Sequence, residues 1–349
     1  MTVSETIVEA AGYPALVRLR GGEAHLPLVA FVTGGGVLAR IAYGHAEGDP
    51  PDFLFHWLEQ AGFATIGLSY PIANPAFDGA FPRFGIRDWA AQCAELIVGA
   101  VGRFGLPRRV IVLAWSMAGR LAEPLNAALQ ARGAGIELFV AMCGATPLPN
   151  LMPGLAAIMP STAGLGQVGG GFQAWLERSL AERNAAEGHE IIAPALFAAR
   201  FLGDFPIRLA GSAMRYQAGA FRHDPAGDAE QTGAANYAGF PPLALMTHDS
   251  ALDARHALSD RAAWGFYITQ SLTEALLRPP GADMTAVPPE RWRRALELIH
   301  AAPARLTAVL PGNHMFFLGT QGAQETVASL AALRREAAAL ASELEACRG

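Results

Sequence analysis

Short, largely apolar runs recur along this chain, and most of the segments between them carry a helical period. Residues 26–32, 64–69, 110–114, 136–142, 243–247 and 306–310 are such runs. Their length and the polar residues at their ends predict strands buried on both faces. Residues 15–19 instead alternate with arginines and predict an edge strand, closed by a Gly21-Gly22 turn. Residues 52–60 predict a helix stopped by Gly62. Over 87–104, Trp89, Cys93, Leu96, Ile97, Ala100 and Phe104 fall on one helical face. Leu121, Leu125 and Leu129 mark another helix, and 291–300 a further one. Strands alternating with helices in this rhythm call for a parallel sheet covered on both faces.

The rhythm breaks between 148 and 239. That stretch is rich in proline, glycine and methionine and holds no buried run, although 172–186 and 194–202 read as helices. The expected organisation is therefore a core in two parts, 1–147 and 240–349, with 148–239 inserted as a lid over the strand ends. Its Phe, Leu and Met residues would line an acyl pocket or form the lid's own core. The segment 251–288 is mixed and includes Trp264, Phe266 and Tyr267. In the alanine-rich C-terminal helix, Leu330, Leu333, Ala337, Leu340 and Leu344 recur in steps of three and four. They could form a homodimer seam or, over so short a run, pack on the sheet.

Chemistry concentrates at the ends of the predicted strands. After 110–114 the chain reads Trp115-Ser116-Met117-Ala118-Gly119 and then turns helical. Strand, sharp turn with serine, helix is the context of a nucleophile elbow, whose usual form is Gly-x-Ser-x-Gly. Here Ala114 and Ala118 stand where that form has glycine. The flanking residues must be small because strand and helix approach closely beside a strained serine. A plain turn serine fits the same letters. The run 26–32 ends in Thr33-Gly34-Gly35-Gly36, whose uncovered N–H groups could face an anion or a carbonyl. An ordinary glycine-rich turn is the alternative, and the glycine spacing does not fit a dinucleotide site. The run 243–247 ends in His248-Asp249, and 306–310 in Pro311-Gly312-Asn313-His314.

With these pieces assembled, the chain resembles the α/β-hydrolase superfamily, in particular its serine-dependent esterases and thioesterases. The resemblance covers most of the chain outside 148–239. It implies a mostly parallel central sheet with helices on both faces and an inserted helical lid. It also implies a triad in the order nucleophile, acid, histidine. Ser116, Asp249 and His314 follow that order, with Asp253 as rival for the acid. The gap from acid to histidine is long for one strand-helix unit. The backbone N–H of Met117 and one from Gly34 or Gly35 would form the oxyanion hole. Trp115, beside the serine, is the candidate substrate contact. Arg40, Tyr43 and His45 follow the glycine loop and could touch substrate, or satisfy the loop's backbone. His248, Asp249, Asp253 and His256 could also be read as metal ligands, but their spacing fits no metal signature. No cofactor and no metal are expected.

Composition narrows the partners. Of 349 residues, 52% are hydrophobic and 16% charged, so a large core is expected. The formal net charge of −5 argues against a nucleic-acid partner. No apolar run has the length of a membrane span. The N-terminus MTVSETIVEA lacks a basic or apolar leader pattern, so a cytoplasmic protein is expected; the resemblance implies a small-molecule acyl substrate. Cys93, Cys143 and Cys347 are odd in number and far apart, which suits free thiols. The leading expectation is an ester or thioester hydrolase working through an acyl-enzyme. The alternatives are an acyltransferase using the same triad, or a binding protein or lyase on the same fold.

Overall fold

The apolar runs become the interior of one twisted sheet. The computed structural model describes residues 4–149, 151, 159–161, 163–277 and 287–348. In chain order the strands are β1 (Thr6–Ala10), β2 (Tyr13–Arg20), β3 (Val29–Val32), β4 (Thr65–Ser69), β5 (Arg109–Trp115), β6 (Gly135–Met142), β7 (Met214–Gln217), β8 (Ala220–His223), β9 (Leu243–His248) and β10 (Thr307–Leu310). The helices are α1 (Arg40–Tyr43), α2 (Leu54–Gln60), α3 (Ile86–Phe104), α4 (Ala122–Gln130), α5 (Gly170–Glu187), α6 (Pro194–Arg200), α7 (Pro225–Gln231), α8 (Ala254–Leu277), α9 (Pro289–Arg305) and α10 (Thr320–Arg348).

Eight strands form the sheet in the order β1-β2-β4-β3-β5-β6-β9-β10. Only β2 runs against the others. From β4 to β10 all neighbours are parallel. The central strands β3, β5 and β6 are almost entirely without exposure, which explains their unbroken apolar sequence. This order, with a serine on the turn that leaves β5, is the α/β-hydrolase fold.

Two expectations change, and one open alternative is decided. The strand over 15–19 is not an edge: β1 pairs with it antiparallel and takes the edge itself. The sequence TIVEA hides β1, because only Ala10 in it is buried. The mixed segment after β9 is largely one 24-residue helix, α8. Its pattern is blurred because Leu258 and Phe266 are exposed while His256 and Asp260 are buried. Together α8 and α9 account for the long gap before His314. Finally, Leu330, Leu333, Leu340 and Leu344 are all buried within the chain's own core, where α10 packs on α9, α2 and β10. The pattern that suggested a dimer seam is thus an internal packing face.

Between β6 and β9 the two foreseen helices appear as α5 and α6, with α7 and a half-exposed hairpin, β7–β8, besides. Polar side chains tie this segment to the sheet. Arg120, fully buried just past Ser116, pairs with Asp228 and donates to the Leu209 carbonyl at 2.8 Å. Arg183 of α5 donates to the Leu318 carbonyl at 2.7 Å. No helix among the described residues is long and apolar enough to cross a membrane.

Candidate active site

Parallel strands deliver their following loops to one edge of the sheet, and the predicted chemistry gathers there. Ser116 follows β5 with φ +55°. A non-glycine residue in the left-handed region costs about 1–3 kcal/mol, which surrounding structure must hold in place. Beyond it a 3₁₀ turn, Ser116–Leu121, runs into α4. The tightest steric demands fall on two glycines rather than on the alanines. A Cβ on Gly34 would lie 2.7 Å from the Ser116 Cβ, and one on Gly119 would lie 2.5 Å from the Ala145 carbonyl oxygen. Ala114 and Ala118 are themselves fully buried.

The glycine loop after β3 is held from behind. The Tyr70 hydroxyl accepts from the Gly36 N–H at 2.9 Å and donates to the Gly34 carbonyl at 2.8 Å. Burial pushes this phenol's pKa up, so the hydroxyl keeps the proton it donates. Thr33 closes the turn by donating to the Val37 carbonyl at 2.7 Å. Gly35 lines the cavity in front of Ser116, whereas Gly34 packs on the serine itself. The oxyanion candidates therefore reduce to Met117, also on the cavity, and Gly35.

The carboxylate that the fold brings to His314 is Asp253, not Asp249. His314 Nδ1 lies 2.8 Å from Asp253 Oδ2. Asp249 is exposed and accepts from the Gly312 N–H at 3.2 Å, so it joins the two loops. The reason is register. His248 and Leu310 are paired at the ends of β9 and β10, which brings the following residues side by side. Asp249 is then too close to the strand end to reach beneath His314. The chain makes a 3₁₀ turn, Ala251–Asp253, and that turn carries Asp253 under the ring.

Asp253 receives a second imidazole. The Ser250 N–H donates to His248 Nδ1 at 3.2 Å, and an accepting Nδ1 leaves the ring proton on Nε2. His248 Nε2 donates to Asp253 Oδ2 at 3.0 Å. Burial opposes the carboxylate's charge, but these two hydrogen bonds outweigh it and hold Asp253 well below the usual range. Burial lowers the pKa of His314 from its ordinary value against the pull of Asp253. The imidazole is therefore free to accept a proton at neutral pH.

Aromatic packing fixes the His314 loop. Trp115 is buried and absent from the cavity wall. Its Nε1 donates to the His314 carbonyl at 2.9 Å, so it braces the histidine instead of touching substrate. The side chain leaves β5 on the face packed by Phe31 and Phe317, which draws it into the core. Trp175 of α5 lies against the His314 ring at 4.8 Å between centroids. Asn313 donates to the Ser179 carbonyl at 2.9 Å, tying the same loop to α5. Arg40 pairs with Glu5, and neither it, Tyr43 nor His45 lines the cavity.

Ser116, Asp253 and His314 share one cavity of about 540 Å³. Gln167, Phe172, Trp175 and Phe205, from the segment between β6 and β9, supply much of its wall. Two groupings bring possible ligand atoms within 4.8 Å of one another: Cys143, His248 and His314, and Asp253, His256 and His314. In both, the donor set suits a hydrogen-bond network better than an ion. Both His248 nitrogens, His314 Nδ1 and Asp253 Oδ2 are engaged with one another or with backbone. Burial also raises the Cys143 thiol well above its ordinary pKa, which opposes the thiolate that a metal needs.

Sequence reasoning missed Tyr70, Trp175 and Asp260, and weighed His248 and His256 only as metal ligands. One signal was available: His256 and Asp260 are four apart, which puts them on one face of a helix.

No family model and no curated protein matches the chain. Solved structures resemble it in overall shape. An esterase from Thermogutta terrifontis, solved with malate bound, is 13% identical with a TM-score of 0.49, covering 99% of this chain and 100% of its own. An esterase from Rhodococcus sp. ECU1013 is 16% identical with a TM-score of 0.49, covering 95% and 100%. The thioesterase domain from the curacin biosynthetic pathway is 13% identical with a TM-score of 0.45, covering 96% and 100%. Likeness at this level says nothing of the activity of this chain.

Proposed function

We propose that the chain is a serine hydrolase that cleaves a carboxylic ester or thioester through an acyl-enzyme. The observation that carries this reading is the 2.8 Å contact of His314 with Asp253 on the wall of the cavity that also holds Ser116 in a left-handed turn. In the first step His314 Nε2 takes the Ser116 proton as Oγ attacks the carbonyl carbon. The N–H groups of Met117 and Gly35 receive the oxyanion; one such donor contributes about 3–4 kcal/mol elsewhere. The carbon–oxygen or carbon–sulfur bond then breaks, and the leaving group departs with the proton from His314. Water, deprotonated by His314, attacks the acyl-serine; the acyl–Oγ bond breaks, the acid is released and His314 returns the proton to Ser116 Oγ. Asp253 orients the ring and balances its charge, with His248 positioning Asp253.

In this reading 148–239 is a lid between two parts of the core, 1–147 and 240–349. Its support is the share of the cavity wall that Gln167, Phe172, Trp175 and Phe205 contribute. Turnover of short-chain nitrophenyl esters tests the reaction. The Ser116→Ala variant is expected to lose about 10⁶-fold in kcat. Hydrolysis that survives this substitution would overturn the reading.

A further inference from the structure

The cavity wall is apolar around Met117, Phe172, Trp175 and Phe205. Three polar side chains that the reaction does not use interrupt it: Gln167, Arg255 and His256. His256 is 5% exposed and lines the cavity with its ring 5.0 Å from that of His314. Its Nδ1 lies 2.9 and 3.0 Å from the two Asp260 carboxylate oxygens. Asp260 is buried as well and also accepts from the Thr247 hydroxyl at 3.3 Å. Among the described residues His256 Nε2 has no hydrogen-bond partner, and the residue lines the cavity.

A second histidine–aspartate pair therefore faces the same cavity, and its character differs from that of the first. Asp260 on its own helix, Asp253 and Arg255 just before it, and His314 across the cavity are the charged or titratable groups around the ring. Burial works against a charge on His256, but Asp260 and Asp253 together outweigh it and raise the pKa above the ordinary value. With Nδ1 donating to Asp260, Nε2 carries a hydrogen only in the imidazolium, the form that makes an ion pair with this buried carboxylate. Arg255 adds a second positive charge on the cavity wall, while its guanidinium donates to the Leu151 carbonyl at 2.8 Å. Asp253, the one carboxylate lining the cavity, turns its Oδ2 to His248 and His314. An apolar cavity with a buried donor so held selects an oxygen acceptor, and an anionic one best.

We propose that His256 is a specificity residue of this site: its Nε2–H, presented by Asp260, binds a carboxylate on the substrate, which is then an ester or thioester carrying a free acid group. The proposal rests on the hydrolase reading for the word substrate, but the binding it describes can be measured without turnover. The Ser116→Ala chain is titrated with the monomethyl esters of malonic, succinic and glutaric acids, each against the methyl alkanoate of matching length. At least one acid-bearing ester is expected to bind about tenfold more tightly than its neutral match. Adding His256→Phe is expected to remove that preference. Because this change leaves Asp260 without its partner and can impair folding, His256→Gln, which keeps a donor, is measured beside it and should retain part of the preference. No preference in the Ser116→Ala chain, or a full preference in the folded His256→Phe variant, would overturn the proposal. Preference without any ester hydrolysis by the unmodified chain would remove the hydrolase reading and leave the subsite standing. Hydrolysis that favours neutral esters would do the reverse.

Discussion

The two halves of the site are built by different means. The serine half is made of backbone and close packing: Gly34 against the Ser116 Cβ, Gly119 against the Ala145 carbonyl, and Tyr70 bridging Gly34 and Gly36. The histidine half is made of charge and hydrogen bonds between side chains: His248 and His314 on Asp253, and His256 on Asp260. Within that second half, similar pairs are tuned in opposite directions. Burial prevails at His314 and lowers its pKa, while Asp260 and Asp253 together prevail over burial at His256 and raise it. A nucleophile's turn tolerates no volume, whereas an acid–base pair tolerates no change of charge.

Substitutions that break this contrast should differ in size. Among substitutions that leave Ser116 and His314 in place, the largest effect is expected in the histidine half: Asp253→Asn should lower kcat by about 10⁴-fold, because the ring loses the charge that stabilises its cation. Asp249→Asn, which keeps an acceptor for the Gly312 N–H, should stay within about tenfold of the unmodified chain. Steady-state ester kinetics on both variants decides between the two acids.

In the serine half, Gly34→Ala adds one methyl at 2.7 Å from the nucleophile's Cβ. Displacing Oγ by even a fraction of an ångström should lower kcat by about 10²-fold, with the ester KM little altered. Smaller again is Tyr70→Phe, which leaves the buried Gly36 N–H and Gly34 carbonyl without the hydroxyl. A loss of about 1–3 kcal/mol in denaturant unfolding is expected, with a matching fall in oxyanion stabilisation.

The smallest effect is one of pH. Catalysis needs His314 without its proton, and its pKa is depressed from the ordinary 6.5. Activity should therefore persist as pH falls to 6.5, and the acid limb of the kcat/KM profile should lie below that value. A limb centred above 6.5 would contradict the burial argument.

The same contrast governs what the sequence made legible. Ser116 and the glycine loop could be found because their requirements are local: a short apolar strand, a small residue, a turn. Six core strands and the two helices α5 and α6 were visible for the same reason. Asp253 could not be separated from Asp249, since the choice depends on the register of β9 with β10 and the turn between. Trp115 looked like a substrate contact from its place beside the serine, but the sheet face it occupies turns it to the His314 backbone. α8 was obscured because its buried face carries His256 and Asp260, polar residues that a hydrophobic pattern cannot count. β1 and the β7–β8 hairpin were too exposed to leave an apolar run.

Covalent labelling tests the joined halves most directly. The intact chain is treated with a fluorophosphonate, digested and mapped by mass spectrometry. A single adduct on Ser116 is predicted, formed at a rate that collapses in His314→Ala and Asp253→Asn but not in Asp249→Asn. Absence of an adduct on Ser116 in the folded, unmodified chain, or labelling that proceeds unchanged without the His314 imidazole, would contradict the account.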